Sequence, residues 1–568
     1  MAEEKKPQEG AVTAHNEPIS SDVLAAEARQ AADAEHQMTL WQAIKTYPNA
    51  IGWSVLLSST LIMEGYDLAL LGNLYASPVF NKKYGTWLED DQKYAVSAAW
   101  QSGLSNGARA GEIIGLIIAG WFTDRYGAKK TTVGFLLMMI ATIFVLFFAP
   151  NVGVLVAGEV LCAPRVSNST ETGRFVGIPW GAFQSVAAQY ASEVAPVVLR
   201  PYLTTFINMC WVIGQFFAAA VNRGSVDFMD SRAYRIPFGV QWLWPVLILS
   251  GLVFAPDVIE NDKSDLRRSP WWLVRKGRRA EARATLLRLT SANQPNFNPD
   301  ETIAMIEHTN EMERRAKEGV TYRDCFKGVD LRRTIIVVGI WTVQTLGGQN
   351  LMGYYSFFLT QAGMDPKNSF SLSMANSALG IIGTAGSWFL MARVGRRKIH
   401  FFGLCCQFLL LIIAGSLSFS DANAAVWAIA GILIVFTFVY DFTVGPVTYS
   451  LVSELSSTRL KAKTIVLARA AYNASNIFVN VMTNYQLSSA AWDWGARSAF
   501  FWAGTCLVSC IWVFFWLPEP KGRTYAELDM LFEQRVSARR FAETQVDPFT
   551  AEATGGKADA GATHGEKI

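Results

Sequence analysis

IGWSVLLSSTLIMEGYDLALLGNL, Ile51 to Leu74, is an apolar run whose only charges are Glu64 and Asp67. A helix needs about 20 mainly apolar residues to cross a bilayer. Lipid offers no partner to a free backbone amide, so a spanning run of this kind is α-helical. Similar runs recur as far as Leu517, centred near Leu61, Ile113, Ile140, Ala187, Ile213, Leu247, Thr345, Ile381, Leu410, Val435, Phe478 and Val508. They fall into two sets of six around a charged segment. The expected fold is an all-α membrane protein with 12 transmembrane helices, arranged as two pseudo-symmetric six-helix bundles.

Composition points the same way. Hydrophobic residues make up 51% of the chain and charged ones 17%, while aromatic residues reach 12%, as expected where rings collect at membrane interfaces. A formal net charge of +3 gives no reason to expect a nucleic-acid partner. The seven cysteines, Cys162, Cys210, Cys325, Cys405, Cys406, Cys506 and Cys510, show no metal spacing and read mostly as small apolar side chains. No signal peptide precedes the first run, which is expected to act as its own insertion signal.

Lys and Arg in short loops set the orientation. Arg125, Lys129 and Lys130 follow helix two, Arg393, Arg396, Arg397 and Lys398 follow helix eight, and Arg459, Lys461 and Lys463 follow helix ten. The opposite loops are poorer in charge. Both termini are therefore expected in the cytoplasm, with residues 1–48 as N-terminal tail, 49–255 as the first bundle, 256–333 as a linker, 334–517 as the second bundle and 518–568 as C-terminal tail. WWLVRKGRRAEARATLLRL in the linker has the amphipathic pattern of a surface helix.

The halves repeat short elements. GWFTDRYGAKKT (Gly120–Thr131) follows helix two and RVGRRK (Arg393–Lys398) follows helix eight. Helix four ends with Glu193 seven residues before Arg200, and helix ten with Glu454 seven residues before Lys461. Basic turns beside carboxylates at helix ends can pair on one side of the membrane and separate when two halves rock. Asp124, Arg125, Lys129, Glu193, Arg200, Arg396, Arg397, Glu454 and Lys461 are thus the expected gate.

Charges within the runs are costly, about 2.5–3.5 kcal/mol each at a helix centre, and so point to function. Glu64 and Asp67 share a face of helix one, and Arg109 and Glu112 share one of helix two. Glu159, Asp441 and Arg469 lie in helices four, ten and eleven. The histidines, His15, His36, His308, His400 and His564, fall in tails, the linker or a loop, so carboxylates are expected to carry any proton. One proton moving through ~150 mV and ~1.5 pH units supplies about 5.5 kcal/mol, enough for roughly 10⁴-fold accumulation. Several buried carboxylates would serve no purpose in a uniporter.

Further motifs name a family. SPWWLVRKGRRAEA after helix six, QTLGGQNLMGYY in helix seven and LPEPKGRTYAELD after helix twelve resemble the signatures of sugar porters of the major facilitator superfamily, across roughly Trp41 to Phe532. EGYDLALLGNLYASPVFNKKYG and GIPWGAFQSVAAQYASEVAP are similar to the fungal α-glucoside:proton symporters of the maltose-permease type. The resemblance implies the major facilitator fold, import of a maltose-like disaccharide with a proton as coupling ion, no other cofactor, no enzymatic activity and no obligate protein partner, at the plasma membrane. It implies proton coupling at Asp67, with Glu64, Glu112 and Arg469 at charged positions of the α-glucoside branch. Glu159 stands where hexose porters carry an arginine, so if Asp67 needs a cationic partner, Arg109 or Arg469 is expected to supply it. Gln344 and Asn350 match the helix-seven sugar motif, Thr345 replaces its second glutamine, and Gln349 adds an amide. Asn208, Asn476 and Tyr449 complete the expected sugar contacts, with Asn473 beside them. Amides suit hydroxyls that donate and accept at once, and rings cover the apolar sugar face. The rivals are a facilitative hexose uniporter and a non-transporting sugar receptor; the latter usually has a long signalling tail, and only 36 residues follow Phe532.

Two polar stretches interrupt this pattern. APRVSNSTETGRFV (Ala163–Val176) splits helix four, and removing it joins GEVLC to GIPWG in a family-like segment. VIENDKSDLRR (Val258–Arg268) similarly splits APD from SPWW. They read either as loop insertions or, as the restored joins favour, as translated intron sequence.

Overall fold

The computed structural model describes residues 39–89, 92–126, 128–155, 177–194, 198–254, 270–275, 277–289, 299–304, 306–307, 321–361, 364–420, 423–457, 459–488, 491–523 and 525–546. The Ala163–Val176 and Val258–Arg268 stretches, Glu159, Cys162 and all histidines but His400 lie outside them, as do the side chains of Asp124, Glu193 and Arg200.

The long helices of the first half are α1 (Pro48–Leu74), α2 (Ala98–Tyr126), α3 (Ala128–Phe147), α4 (Gly177–Val194) and α5 (Arg200–Ser225), followed by α6 in two pieces, Arg232–Val240 and Leu243–Phe254. The second half holds α7 (Gly328–Gly353), α8 (Pro366–Arg393), α9 (Arg396–Leu417), α10 (Ala424–Leu455), α11 (Lys461–Leu487) and α12 (Ser498–Trp516). Seven of these, α1, α3, α5, α7, α9, α10 and α12, are long and apolar enough to cross a membrane by themselves. The others carry more polar residues or are broken, as in α2 with Arg109, Glu112, Asp124 and Arg125. The helices alternate in direction, so the helices around Leu40–Thr46 and Tyr525–Glu533 share one end of the bundle, here the tail face.

Glycines set the closest packing. A Cβ at Gly65 would lie 2.3 Å from the Trp211 carbonyl oxygen, and one at Gly214 2.2 Å from that of Ile62, so α1 and α5 touch backbone to backbone. Gly115 against Ile178 and Gly181 against Glu112 do the same for α2 and α4. In the second half Gly380 and Gly383 seat α8 on α10 beside Asp441 and Phe438. Without a hydrophobic drive between helices in lipid, such small-residue contacts supply the dispersion that holds them. The outer surface is apolar, with Ile117, Leu137, Phe144, Ile382, Phe389, Phe402, Leu409 and Val508 exposed. The polar residues are inside.

Two helices of the second half are discontinuous. In α7, Thr345–Gln349 forms a wide turn in which Gly348 adopts φ +89, and Thr505 donates to the Leu346 carbonyl at 2.6 Å. A left-handed residue there requires glycine, and the break leaves the Leu346 carbonyl to accept from the Thr505 side chain instead of from its own helix. In α10 the break falls at Thr443, directly after Tyr440, Asp441 and Phe442.

Other features were not legible as such. Residues after α1 form a short helix, Pro78–Tyr84, and a hairpin pairing Trp87 with Tyr94. Described parts of the linker form helices with their own small core of Leu273, Ala282, Leu286, Ile303 and Ile306. His400, expected in a loop, sits inside α9 and is fully buried, because that helix begins directly after Gly395.

Candidate functional site

The charges at the centre of the first half converge. On α2, Arg109 and Glu112 stand one turn apart and pair at 3.0 Å. Glu64 on α1 lies 3.9 Å from the same guanidinium. Gln184 on α4 donates its amide to Glu64 and, at 3.3 Å, to Glu112. Its carbonyl oxygen accepts from Arg469 Nε on α11 at 2.6 Å, across the boundary between the halves. Two carboxylates and two guanidiniums, all buried, thus meet around one neutral amide. Burying these charges is tolerable only because each has opposite charge and hydrogen bonds at hand.

Aromatic rings enclose the cluster. Arg469 lies over Trp341 at 4.5 Å and Tyr472 at 4.4 Å, and Arg109 lies over Trp211 at 5.6 Å. Tyr449 packs edge-on against Trp341 at 4.9 Å. Beside them is a cavity walled by Gln184, Trp211, Trp341, Tyr449, Arg469 and the hydroxyls of Ser185, Thr204 and Ser453. Thr204 is in the first turn of α5, Ser453 in the last of α10, and Ile465 in the first turns of α11. The cavity therefore lies between the halves, on the side of the tail face.

At the opposite end the halves are joined. Ser356 donates to Asn73 at 2.8 Å, Ser105 and Tyr354 meet at 3.1 Å, Asn484 donates to Ser102 at 3.2 Å, and Arg223 donates to Ser371 at 3.1 Å. Lys367 pairs with Asp227, whose carboxyl is held below the usual carboxylate range by that lysine.

Asp67 lies at the edge of the cluster, within electrostatic reach of Glu112. It accepts from Gln241 on α6, and among the described residues no cation pairs with it. The expected arginine partner is thus replaced by an amide, since Arg109 and Arg469 are taken up by Glu64, Glu112 and Gln184. Of the expected sugar contacts, Tyr449 lines the cavity. Gln344 donates to Tyr440, joining the α7 and α10 segments just before their breaks. Asn350 donates to Asn480, which donates to Asn106 at 3.3 Å. Asn208 donates to Asp441 at 3.1 Å and to Thr384 at 3.2 Å, again between halves. Among the described residues, the Nδ2 of buried Asn476 and both amide atoms of buried Asn473 have no hydrogen-bond partner, while Gln349 is half-buried.

At the tail face, the basic turn after α8 meets a carboxylate at a neighbouring helix end. Glu454 pairs with Arg396 at 3.4 Å, while Lys461 donates to Tyr525 at 2.9 Å. Seven residues along this chain end separate the two around the α10–α11 turn and aim them at different neighbours. Arg397 donates to the Phe514 carbonyl at 2.7 Å. Glu519 caps α9 by accepting from the backbone of Arg396 and Arg397, and its burial raises its proton affinity above that of a free carboxylate. Arg125 lies over Trp121 at 5.5 Å and Tyr126 at 5.8 Å. Lys129 is half-buried at the start of α3.

Sequence reasoning missed Gln184, Gln241, Trp211, Trp341 and Glu519. The signal for Gln184 was present, a lone amide inside the apolar run GIPWGAFQSVAAQY.

Comparison with known proteins agrees with this architecture. Residues 53–532 match the family model for Sugar (and other) transporters. A maltose permease of Saccharomyces cerevisiae is 40% identical over 539 residues, covering 94% of this chain and 84% of the relative. A general alpha-glucoside permease of the same yeast is 39% identical over 540 residues, covering 94% and 83%. Among solved structures, the proton:xylose symporter XylE bound to 6-bromo-6-deoxy-D-glucose superimposes with a TM-score of 0.67 at 18% identity, covering 86% of this chain and 99% of that one. An inward-open XylE from E. coli gives 0.63 at 17% identity, covering 85% and 99%.

Proposed function

Because this chain belongs to the sugar transporter family of the major facilitator superfamily, we propose that it imports an α-glucoside such as maltose together with a proton, by alternating access. It is a multi-pass membrane transporter and not an enzyme. The observation that carries the reading is the Glu64–Glu112–Arg109–Arg469 cluster beside a cavity between the halves, joined to its wall through Arg469 and Gln184. A carrier needs a group that accepts a proton in one state and releases it in the other, next to a seat both halves contact. Carboxylates within reach of guanidiniums on a partner that moves meet the first need. Rings with amide and hydroxyl neighbours meet the second.

In this reading the cavity, with Tyr449 in its wall, is where the sugar sits with the tail face open. Asn208, Gln344, Gln349, Asn350 and Asn476 contact the sugar as the halves exchange partners during rocking. Asp67 carries the coupling proton, with Glu64 and Glu112 as its nearest alternatives. The tail face is cytoplasmic and the membrane is the plasma membrane, which the basic loops at Arg125, Lys129, Arg396, Arg397 and Lys461 support. The Arg396–Glu454 pair belongs to the cytoplasmic gate.

The test is uptake of labelled maltose by yeast cells lacking their own α-glucoside carriers, with external pH recorded. Maltose should accumulate and the medium should turn alkaline as it does. Equilibration without accumulation or alkalinisation would replace this reading with a facilitative carrier.

A further inference from the structure

Gln184 holds a position that no expectation assigned. Its side chain is buried in the cavity wall, where it is the polar link between charges of the first half and the single arginine that α11 contributes. Its Nε2 faces Glu64 and Glu112; its Oε1 faces Arg469. The titratable groups facing this cluster are Glu64 and Asp67 from α1, Arg109 and Glu112 from α2, Tyr449 from α10, and Arg469 and Tyr472 from α11.

The chemistry of the amide is specific. A primary amide donates from one end and accepts at the other, so it can satisfy an anion pair and a cation together. A carboxylate at this place would lose the donor side, and an alkyl side chain would lose both. Sugar hydroxyls have the same dual character and enter the same cavity. A hydroxyl that donates to Gln184 Oε1 competes directly with Arg469 for that oxygen. Once displaced, Arg469 is no longer bonded to the first half, and the carboxylates lose the field of one of their two guanidiniums. Sugar occupancy is then felt by the carboxylates without any direct contact between sugar and carboxylate.

We propose that Gln184 is the positioning residue that couples sugar occupancy to the charge state of the Glu64–Glu112 pair, by holding Arg469 across the halves until a sugar hydroxyl takes its place. This rests on the proton-symport reading above and deepens it by naming the relay: the charge of the pair reaches the coupling proton on Asp67 through Glu112, which lies within electrostatic reach of Asp67. Ground-state packing alone would also make Gln184 sensitive to mutation, so the readout has to be the coupling ratio.

The experiment compares the full-length protein with Gln184→Ala and Gln184→Glu in carrier-deficient yeast, after surface labelling confirms which reach the membrane. Initial maltose uptake and initial alkalinisation are measured in the same cells. The number of protons taken up per maltose should fall at least fivefold in either variant. A Gln184→Ala, Arg469→Lys double variant should show a ratio no lower than the lower of its two single variants, because both changes cut the same relay. Gln184→Glu preserves volume and serves where alanine does not reach the membrane. A wild-type ratio in either surface-expressed variant, with only the rate reduced, overturns the proposal and leaves Gln184 a packing residue. A wild-type protein that takes up maltose without alkalinisation overturns the symport reading instead.

Discussion

At the residue scale, two buried acids differ in what surrounds them, and the difference separates stability from transport. Arg109 compensates Glu64 and Glu112 directly. Arg109→Gln removes a guanidinium from two buried carboxylates, which costs about 3–5 kcal/mol. Its expected result is loss of folded protein in detergent, seen as a collapsed peak in fluorescence-detected size exclusion. Asp67→Asn should behave otherwise. Its partner Gln241 has an Oε1 without a hydrogen-bond partner among the described residues, so an asparagine amide gains an acceptor where the carboxylate had a donor. Stability should stay within about 1 kcal/mol of wild type. Accumulation of maltose should nonetheless vanish, because an amide cannot exchange a proton. Unchanged maltose-driven alkalinisation in this variant would move coupling to Glu64 and Glu112. The identity of such charged residues was legible from their cost in an apolar run. Their partners were not, since pairing depends on how helices far apart in sequence rotate against one another. Gln184 illustrates this: 285 residues separate it from Arg469.

At the element scale, close approach of helices makes glycine positions unequal. A Cβ at Gly181 would lie 2.1 Å from the Glu112 carbonyl oxygen, whereas one at Gly120, on the same helix α2, meets nothing within 4 Å. Gly181→Ala should therefore push α4 from α2 and cost about 1–3 kcal/mol, as overpacking does. Gly120→Ala should be neutral or slightly stabilising through helix propensity. Thermal unfolding of the two purified variants checks this, and equal midpoints would show that the helices part freely here. The number and order of long helices could be read from hydropathy because lipid imposes one length and one hydrogen-bonding solution. The breaks in α7 and α10 could not. Thr345–Gln349 has the composition of a flexible helix, and only packing of Leu411 and Trp502 against Gly348 shows the positive φ it adopts. At the tail face the spacing of Glu454 and Lys461 left their partners open, and the turn between α10 and α11 sends them to Arg396 and Tyr525.

At the scale of the whole molecule, a set of polar contacts joins the halves at the end away from the tails, while toward the tails the cavity lies between them, bridged by Gln184–Arg469 and Thr205–Trp388. That asymmetry describes a carrier open or opening to one side. Away from the tails, Asn73 and Ser356 meet across the boundary at 2.8 Å. With both replaced by cysteine, an oxidant should bond them, halt uptake and leave the cavity side accessible; a reductant should restore transport. Uptake that continues in the oxidised, cross-linked protein would mean that the halves do not separate at this point.

Arg333 near the start of α7 donates to the carbonyls of Leu455 and Ser456 at 3.0 Å each and pairs with Asp529 beyond α12. It therefore finishes the end of α10 with a group from the chain's last described helix. On a ribosome adding about 5–20 residues per second, the 196 residues between Arg333 and Asp529 take roughly 10–40 s to appear. For that interval a guanidinium destined for burial has no carboxylate, and the second half is incomplete however well its helices have inserted. A nascent chain stopped before Asp529 should stay a substrate for quality control in the membrane of synthesis, while one carrying the tail helix should leave it. Biogenesis, on this geometry, is timed by the helix that carries Asp529.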